Sequence, residues 1–207
     1  MRAEMQTILD RLKAARVVPV VRMKSAANAR TAIGWLKEAG LTVFEITMTI
    51  PGAPELIREL SADPALLVGA GTVADEASAA ACLSAGAGFI VAPWVDPNLH
   101  AQCILGRALL MLGAMTPTEV RAARAAGADV VKIFPASSAG GPGHIKALAS
   151  VFPGVPLCPT GGVEPGAVST WIEAGASFVG IGGKLVDERL VAAGDRAAIV
   201  DAARAVA

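Results

Sequence analysis

Residues 126–135 read Ala126-Gly127-Ala128-Asp129-Val130-Val131-Lys132-Ile133-Phe134-Pro135. The first three close a helix, because glycine is what a helix C-terminus needs where the chain turns through the left-handed region. After them comes a short apolar run, the mark of a strand covered on both faces as in a parallel sheet. The same junction recurs at Ala39-Gly40-Leu41, Ala85-Gly86-Ala87 and Ala174-Gly175-Ala176. Each time it leads from a segment of helical length straight into a run rich in valine, isoleucine or phenylalanine.

Along the whole chain these runs are Val17–Val21, Thr42–Met48, Leu66–Gly69, Gly88–Ala92, Ala108–Leu112, Asp129–Ile133, Val155–Cys158 and Ser177–Ile181. Helical stretches lie between them, among them Ala26–Ala39, Pro54–Leu60, Glu76–Ala85, Pro117–Ala126 and Gly166–Ala174. Strand and helix alternate throughout, so the class is α/β. The four glycine junctions precede runs two, four, six and eight and imply four similar two-strand units. That pseudo-repeat fits a closed (β/α)8 TIM barrel better than an open doubly wound sheet, and a single compact domain over residues 1–207 is expected. The chain opens with Met5, Ile8, Leu9 and Leu12 at helical spacing among Arg2, Glu4, Asp10, Arg11 and Lys13. This is an amphipathic helix, not a signal peptide.

Composition excludes several classes. Apolar residues make up 54% of the chain, which is enough to bury a core. The formal net charge is zero and no long run of one sign occurs, so nucleic acid is not an expected partner. The same neutrality is compatible with self-association. Ala77–Val95 carries no charge, but Gly86, Gly88 and Pro93 divide it into helix, turn and buried strand, so no membrane span is expected. Cys82, Cys103 and Cys158 are far apart and odd in number, and read as reduced thiols in a cytoplasmic protein.

Two charges interrupt the apolar runs. Lys132 shares a strand face with Val130 and Phe134, and a lysine in a buried strand is costly unless it is neutralised, paired or used. Burial favours the neutral form of an amine, and the neutral amine is the nucleophile of Schiff-base chemistry. Glu45 interrupts Thr42–Met48 on the face it shares with Val43 and Thr47. If both faces point into the barrel, the two charges meet near its axis, as a catalytic pair, a structural ion pair, or both.

Barrel enzymes place their chemistry at the C-terminal strand ends, and the loops after strands seven and eight often hold phosphate on backbone N–H groups. Pro159-Thr160-Gly161-Gly162 and Gly180-Ile181-Gly182-Gly183-Lys184 stand at those two places, and Gly69-Ala70-Gly71-Thr72 ends strand three. The two histidines, His100 and His144, lack metal-ligand spacing, so no metal and no other cofactor is expected. His144, after Gly140-Gly141-Pro142-Gly143, reads as a solvated loop residue, and Cys158 as a packed thiol.

In these residues the chain resembles the 2-keto-3-deoxy-6-phosphogluconate (KDPG) aldolase family, which includes 4-hydroxy-2-oxoglutarate aldolases. The resemblance runs in order through Val18-Pro19-Val20-Val21-Arg22, Glu45-Ile46-Thr47, Gly69-Ala70-Gly71-Thr72, Lys132-Ile133-Phe134-Pro135-Ala136, Cys158-Pro159-Thr160-Gly161-Gly162 and Ile181-Gly182-Gly183. It implies Lys132 as the Schiff-base lysine and Glu45 as general acid and base. It also implies Thr72, Pro93, Phe134 and Thr160 around a pyruvyl group, and Gly161, Gly162, Gly182 and Gly183 at a distal phosphate. The same resemblance implies a homotrimer that cleaves a phosphorylated sugar acid to pyruvate and a phosphorylated aldehyde.

Two positions depart from the family pattern. Thr49 stands where some members carry a carboxylate-binding arginine, with Arg22 the candidate to replace it. Lys184 stands where several members have a small residue, and either strengthens phosphate binding or faces solvent. A non-covalent phosphosugar isomerase or epimerase on the same barrel, with Glu45 as base, is the competing enzyme class. A phosphate-metabolite binding protein without catalysis is the competing non-enzyme.

Overall fold

The structure is a computed structural model that describes residues 3–207. Arg2, part of the charge pattern of the opening segment, lies outside the described residues. The strands are β1 Val17–Val21, β2 Val43–Thr47, β3 Leu67–Gly71, β4 Phe89–Ala92, β5 Leu109–Ala114, β6 Val130–Ile133, β7 Leu157–Pro159 and β8 Val179–Ile181. The helices are α1 Ala3–Ala15, α2 Ala26–Glu38, α3 Ala53–Ser61, α4 Glu76–Ser84, α5 Leu99–Gly106, α6 Pro117–Ala125, α7 Gly141–Val151, α8 Val168–Glu173, α9 Glu188–Ala192 and α10 Arg196–Arg204.

All strand pairings are parallel and run in the order β7-β6-β5-β4-β3-β2-β1-β8. The ring closes through a parallel bridge between Thr160 and Gly180 and a 2.8 Å hydrogen bond from Ser177 N–H to the Leu157 carbonyl. The fold is the expected (β/α)8 barrel with an N-terminal helix. The four helix-closing glycines all adopt positive φ: 98° at Gly40, 99° at Gly86, 90° at Gly127 and 111° at Gly175. A Cβ disfavours that conformation, which is why glycine punctuates these junctions. Side chains close the other ends: Ser25, Asp75 and Asp195 accept from backbone N–H groups at the starts of α2, α4 and α10, and Thr116 with Glu119 forms a capping box on α6.

Some boundaries differ from the sequence expectation. β3 runs on to Gly71 and β5 to Ala114, because Gly71 and Gly113 pair in register with Thr47 and Lys132 although neither has a side chain to signal a strand. β7 begins only at Leu157, since Val155 N–H still bonds back to the Phe152 carbonyl in the turn that ends α7. Ala77–Val95 divides into α4, a turn and β4, and among the described residues no helix is long and apolar enough to cross a membrane.

Period-two alternation sorts each strand between two cores. Outward residues pack under the helices, while an inner cluster of Val18, Val43, Leu67, Phe89, Leu109, Val130 and Phe178 fills the barrel. Leu9 and Leu12 of α1 join the inner cluster and plug the barrel at the N-terminal ends of the strands. Higher in the barrel the inward positions alternate large and small: Gly69 faces the Phe89 ring, Gly71 the Glu45 carboxylate, and Gly180 the Thr160 side chain. The interior has no room for a methyl group at these places. Gly69→Ala is expected to destabilise the fold by about 1–3 kcal/mol, the usual scale of overpacking. Denaturant midpoints measure this, and an unchanged midpoint would mean that the Phe89 ring yields freely.

Candidate active site

β2 and β6 stand on opposite sides of the ring, so their inward side chains meet across its axis. Lys132 Nζ lies 3.3 Å from Glu45 Oε1, and both side chains are buried, at 7% and 6% exposure. The sequence placed one charge at the centre of each strand, and barrel closure brings the two together. The Lys132 ammonium also lies 5.8 Å from the centroid of the Phe134 ring.

Above this pair, at the C-terminal ends of the strands, opens a cavity of about 440 Å³. Lys132 and Thr160 lie in its lining, with Pro93 and Phe134 as apolar neighbours. Arg22 and Thr72 contribute a second edge, where an Arg22 Nη2–H donates to Thr72 Oγ1 at 3.1 Å. Thr72 has φ of 57°, a left-handed conformation that strains a β-branched residue. Such strain persists where the surroundings hold it in place, and it gathers at functional sites. Thr49, just past β2, is an exposed residue whose hydroxyl lies 2.8 Å from that of Thr47.

Gly161, Gly162, Gly182 and Gly183 also line the cavity. Gly161 and Gly162 have φ of 93° and 75°. Their loop is laced to the segment after β6: Ala136 N–H bonds the Thr160 carbonyl at 2.8 Å, Ser137 N–H the Gly161 carbonyl at 3.0 Å, and Ser137 Oγ–H the Gly162 carbonyl at 2.7 Å. A Cβ at Gly162 would fall 2.5 Å from Ser137 Oγ, whereas one at Gly183 would meet nothing within 4 Å. Lys184 lines the cavity too, and its Nζ pairs with Glu164 Oε1 at 2.7 Å.

Every residue nominated from the sequence therefore faces one cavity, except Glu45, which reaches it through Lys132. Val20 and Val163 also line it and were not nominated. An inward valine looks like any other core residue in a sequence, and no motif marks it. Cys158 is buried beneath the cavity, with its Sγ 3.7 Å from Thr160 Oγ1. Burial pushes its thiol up to about 12, against the opposing pull of the Lys132 charge, so it stays protonated and is no nucleophile at neutral pH. Cys82 and Cys103 are likewise free and buried. His144 departs from expectation: it lies in the first turn of α7, with Nε2 2.7 Å from the Met115 carbonyl oxygen. The Gly-Gly-Pro-Gly stretch that resembled a loop starts a helix, because proline is tolerated in a first turn and Ile145 and Leu148 bury one face.

A family model described as KDPG and KHG aldolase matches residues 8–202. The chain belongs to the KDPG and KHG aldolase family. It is 33% identical over 182 residues to a 2-dehydro-3-deoxy-phosphogluconate aldolase of Zymomonas mobilis, with 88% of this chain and 87% of the relative covered. It is also 33% identical over 190 residues to the KHG/KDPG aldolase of Escherichia coli strain K12, covering 91% and 89% of the two chains. Among solved structures, it superposes on the KDPG aldolase of Legionella pneumophila with a TM-score of 0.86 and 28% identity, over 96% of this chain and 98% of the other. In that structure pyruvate was captured at low pH as a covalent carbinolamine intermediate.

Proposed function

We propose that this member of the KDPG and KHG aldolase family is a class I, Schiff-base aldolase that reversibly cleaves a 2-keto-3-deoxy-6-phospho sugar acid to pyruvate and glyceraldehyde 3-phosphate. The observation that carries the reading is the buried Lys132–Glu45 contact of 3.3 Å at a cavity lined also by Arg22, Thr72, Thr160, Lys184, apolar groups and glycine backbone.

In this reading Glu45 takes a proton from Nζ across that contact and leaves a neutral amine to attack the C2 carbonyl. Glu45 returns that proton to the C2 oxygen, and the carbinolamine loses water to give an iminium, which draws electrons from the neighbouring carbon–carbon bond. Glu45 then takes the proton of the C4 hydroxyl as the C3–C4 bond breaks, which releases the aldehyde and leaves an enamine on Lys132. Protonation at C3 and hydrolysis release pyruvate and free the lysine. One carboxylate serves each proton transfer because it sits beside the reacting atoms and is screened from water.

Arg22 is proposed to hold the substrate carboxylate in place of the arginine absent at Thr49. Among the described residues its partner is a neutral hydroxyl, which leaves its charge available to an anion. Thr72, Pro93, Phe134 and Thr160 surround the pyruvyl group, and the N–H groups around Gly161, Gly162, Gly182 and Gly183 hold the distal phosphate, assisted by Lys184. A second reading, a short 4-hydroxy-2-keto acid such as 4-hydroxy-2-oxoglutarate, is favoured by one observation: Lys184 already carries a carboxylate partner. The assembly is inferred to be a homotrimer in the cytoplasm. The resemblance supports this assembly, as do Trp94, Met115 and Phe134, large apolar side chains left 47%, 39% and 41% exposed near the cavity. Sedimentation velocity reads the mass directly, and a monomer would refute it.

Pyruvate with borohydride is expected to add a reduced pyruvyl group at Lys132, with no adduct in a folded Lys132→Ala variant. Glu45→Gln should slow turnover about 10²-fold or more, the scale of general acid–base catalysis, while still forming some iminium. Mass spectrometry showing no adduct in the wild type would favour the non-covalent isomerase class instead. For the distal end, Gly183→Asp is the informative change, since its Cβ has open space and only the new charge acts. It should raise KM for the phosphorylated substrate by about tenfold or more through repulsion of the phosphate, while adduct formation at Lys132 continues. An unaltered KM would remove the phosphate from this end of the cavity.

A further inference from the structure

Glu164 follows Gly161-Gly162-Val163 after β7, and Lys184 follows Gly182-Gly183 after β8. Their 2.7 Å ion pair therefore bridges the two glycine loops at the distal end of the cavity. Lys184 lines the cavity, with Val163, the residue before Glu164, beside it. The carboxylate thus acts on the cavity through the ammonium that it holds.

The cavity lining contains three cations, Arg22, Lys132 and Lys184. Lys132 is matched by Glu45 and Lys184 by Glu164, and Arg22 alone bonds a neutral hydroxyl. A phosphorylated keto acid brings a carboxylate and a phosphate close to a dianion into this nearly balanced site. The two carboxylates differ in one respect. Glu45 is buried, while Glu164 and Lys184 are 55% and 58% exposed, and an exposed pair of this kind shifts an equilibrium by no more than about fivefold. An ammonium has three N–H donors and a phosphate three or more acceptor oxygens, so the incoming anion can take Lys184 over at small cost.

We propose that Glu164 is a built-in competitor for the distal anion subsite: it occupies the Lys184 ammonium until a substrate phosphate displaces it, and so sets how strongly the enzyme prefers phosphorylated over unphosphorylated acceptors. The inference rests on the phosphate-end reading above and makes Glu164 a specificity-determining residue that acts through Lys184.

The test compares wild type, Glu164→Gln, Lys184→Ala and the double variant. One arm measures kcat/KM in the condensation of pyruvate with glyceraldehyde 3-phosphate and with glyceraldehyde. The other measures binding of inorganic phosphate by calorimetry, which needs no turnover. Glu164→Gln is expected to raise the phosphorylated-to-unphosphorylated preference, and the affinity for inorganic phosphate, by about two- to fivefold at low ionic strength, with a smaller gain at high salt. In the Lys184→Ala background that gain should fall by at least half. An unchanged or lowered phosphate affinity in Glu164→Gln would overturn the proposal, the latter by making Glu164 a support for Lys184. A gain of equal size without Lys184 would also overturn it, since through-space repulsion alone would explain it. Wild type that binds phosphate as expected but fails to condense pyruvate with either aldehyde would count against the aldolase reading and leave the competition intact.

Discussion

The buried contact between Lys132 and Glu45 sets the terms for the rest of the molecule. Two charges withdrawn from water lose hydration worth several kcal/mol each, and only close, well-oriented pairing compensates. The pair is formed from strands on opposite sides of the ring, so it exists only while the barrel is closed. Removing one partner would leave the other charge buried alone, at a cost on the order of 3–5 kcal/mol. The inward glycines belong to the same constraint. Gly71 leaves the space that the Glu45 carboxylate occupies, and Gly113, in register with Lys132, leaves room for the backbone at Pro93. Closure, pairing and the glycine pattern therefore stand or fall together.

Much of this was legible because it breaks patterns. A lysine and a glutamate inside apolar strand runs, and glycines at four helix ends, are departures from the local average, and a departure is what a sequence displays. The strands were located for the same reason, since β-branched residues cluster where both faces are covered. The bounds of α5, α7, α9 and α10 were not legible. α7 begins with glycines and a proline, which alone resemble a loop, and only burial of Ile145 and Leu148 against the barrel makes it a helix. α9 and α10 are short and rely on the N-cap aspartates Asp187 and Asp195 rather than on a long apolar stripe.

Within the site, residues with distinctive chemistry were recognisable and those without were not. Val20 and Val163 shape the cavity as ordinary apolar side chains. The strain at Thr72 is a property of its backbone, set by the neighbouring loops, and threonine gives no hint of φ at 57°. The partnership of Glu164 with Lys184 is visible only after β7 and β8 have been laid side by side. These features arise from tertiary packing, which composition and periodicity do not encode.

The helix α1 has a consequence beyond its contribution to the core. With Leu9 and Leu12 packed into the barrel beneath the strands, the cavity is closed at its foot and opens at the C-terminal strand ends. In the proposed mechanism, a three-carbon fragment tethered to Lys132 at the floor is roofed by whatever occupies the glycine loops above it. On that mechanism the aldehyde is the first product to leave and the last reactant to enter, and the enamine meets bulk water only after that departure. An ordered kinetic sequence, read as competitive and non-competitive product-inhibition patterns, would then follow from the covalent bond to Lys132, with the plugged floor sending both products out past the glycine loops.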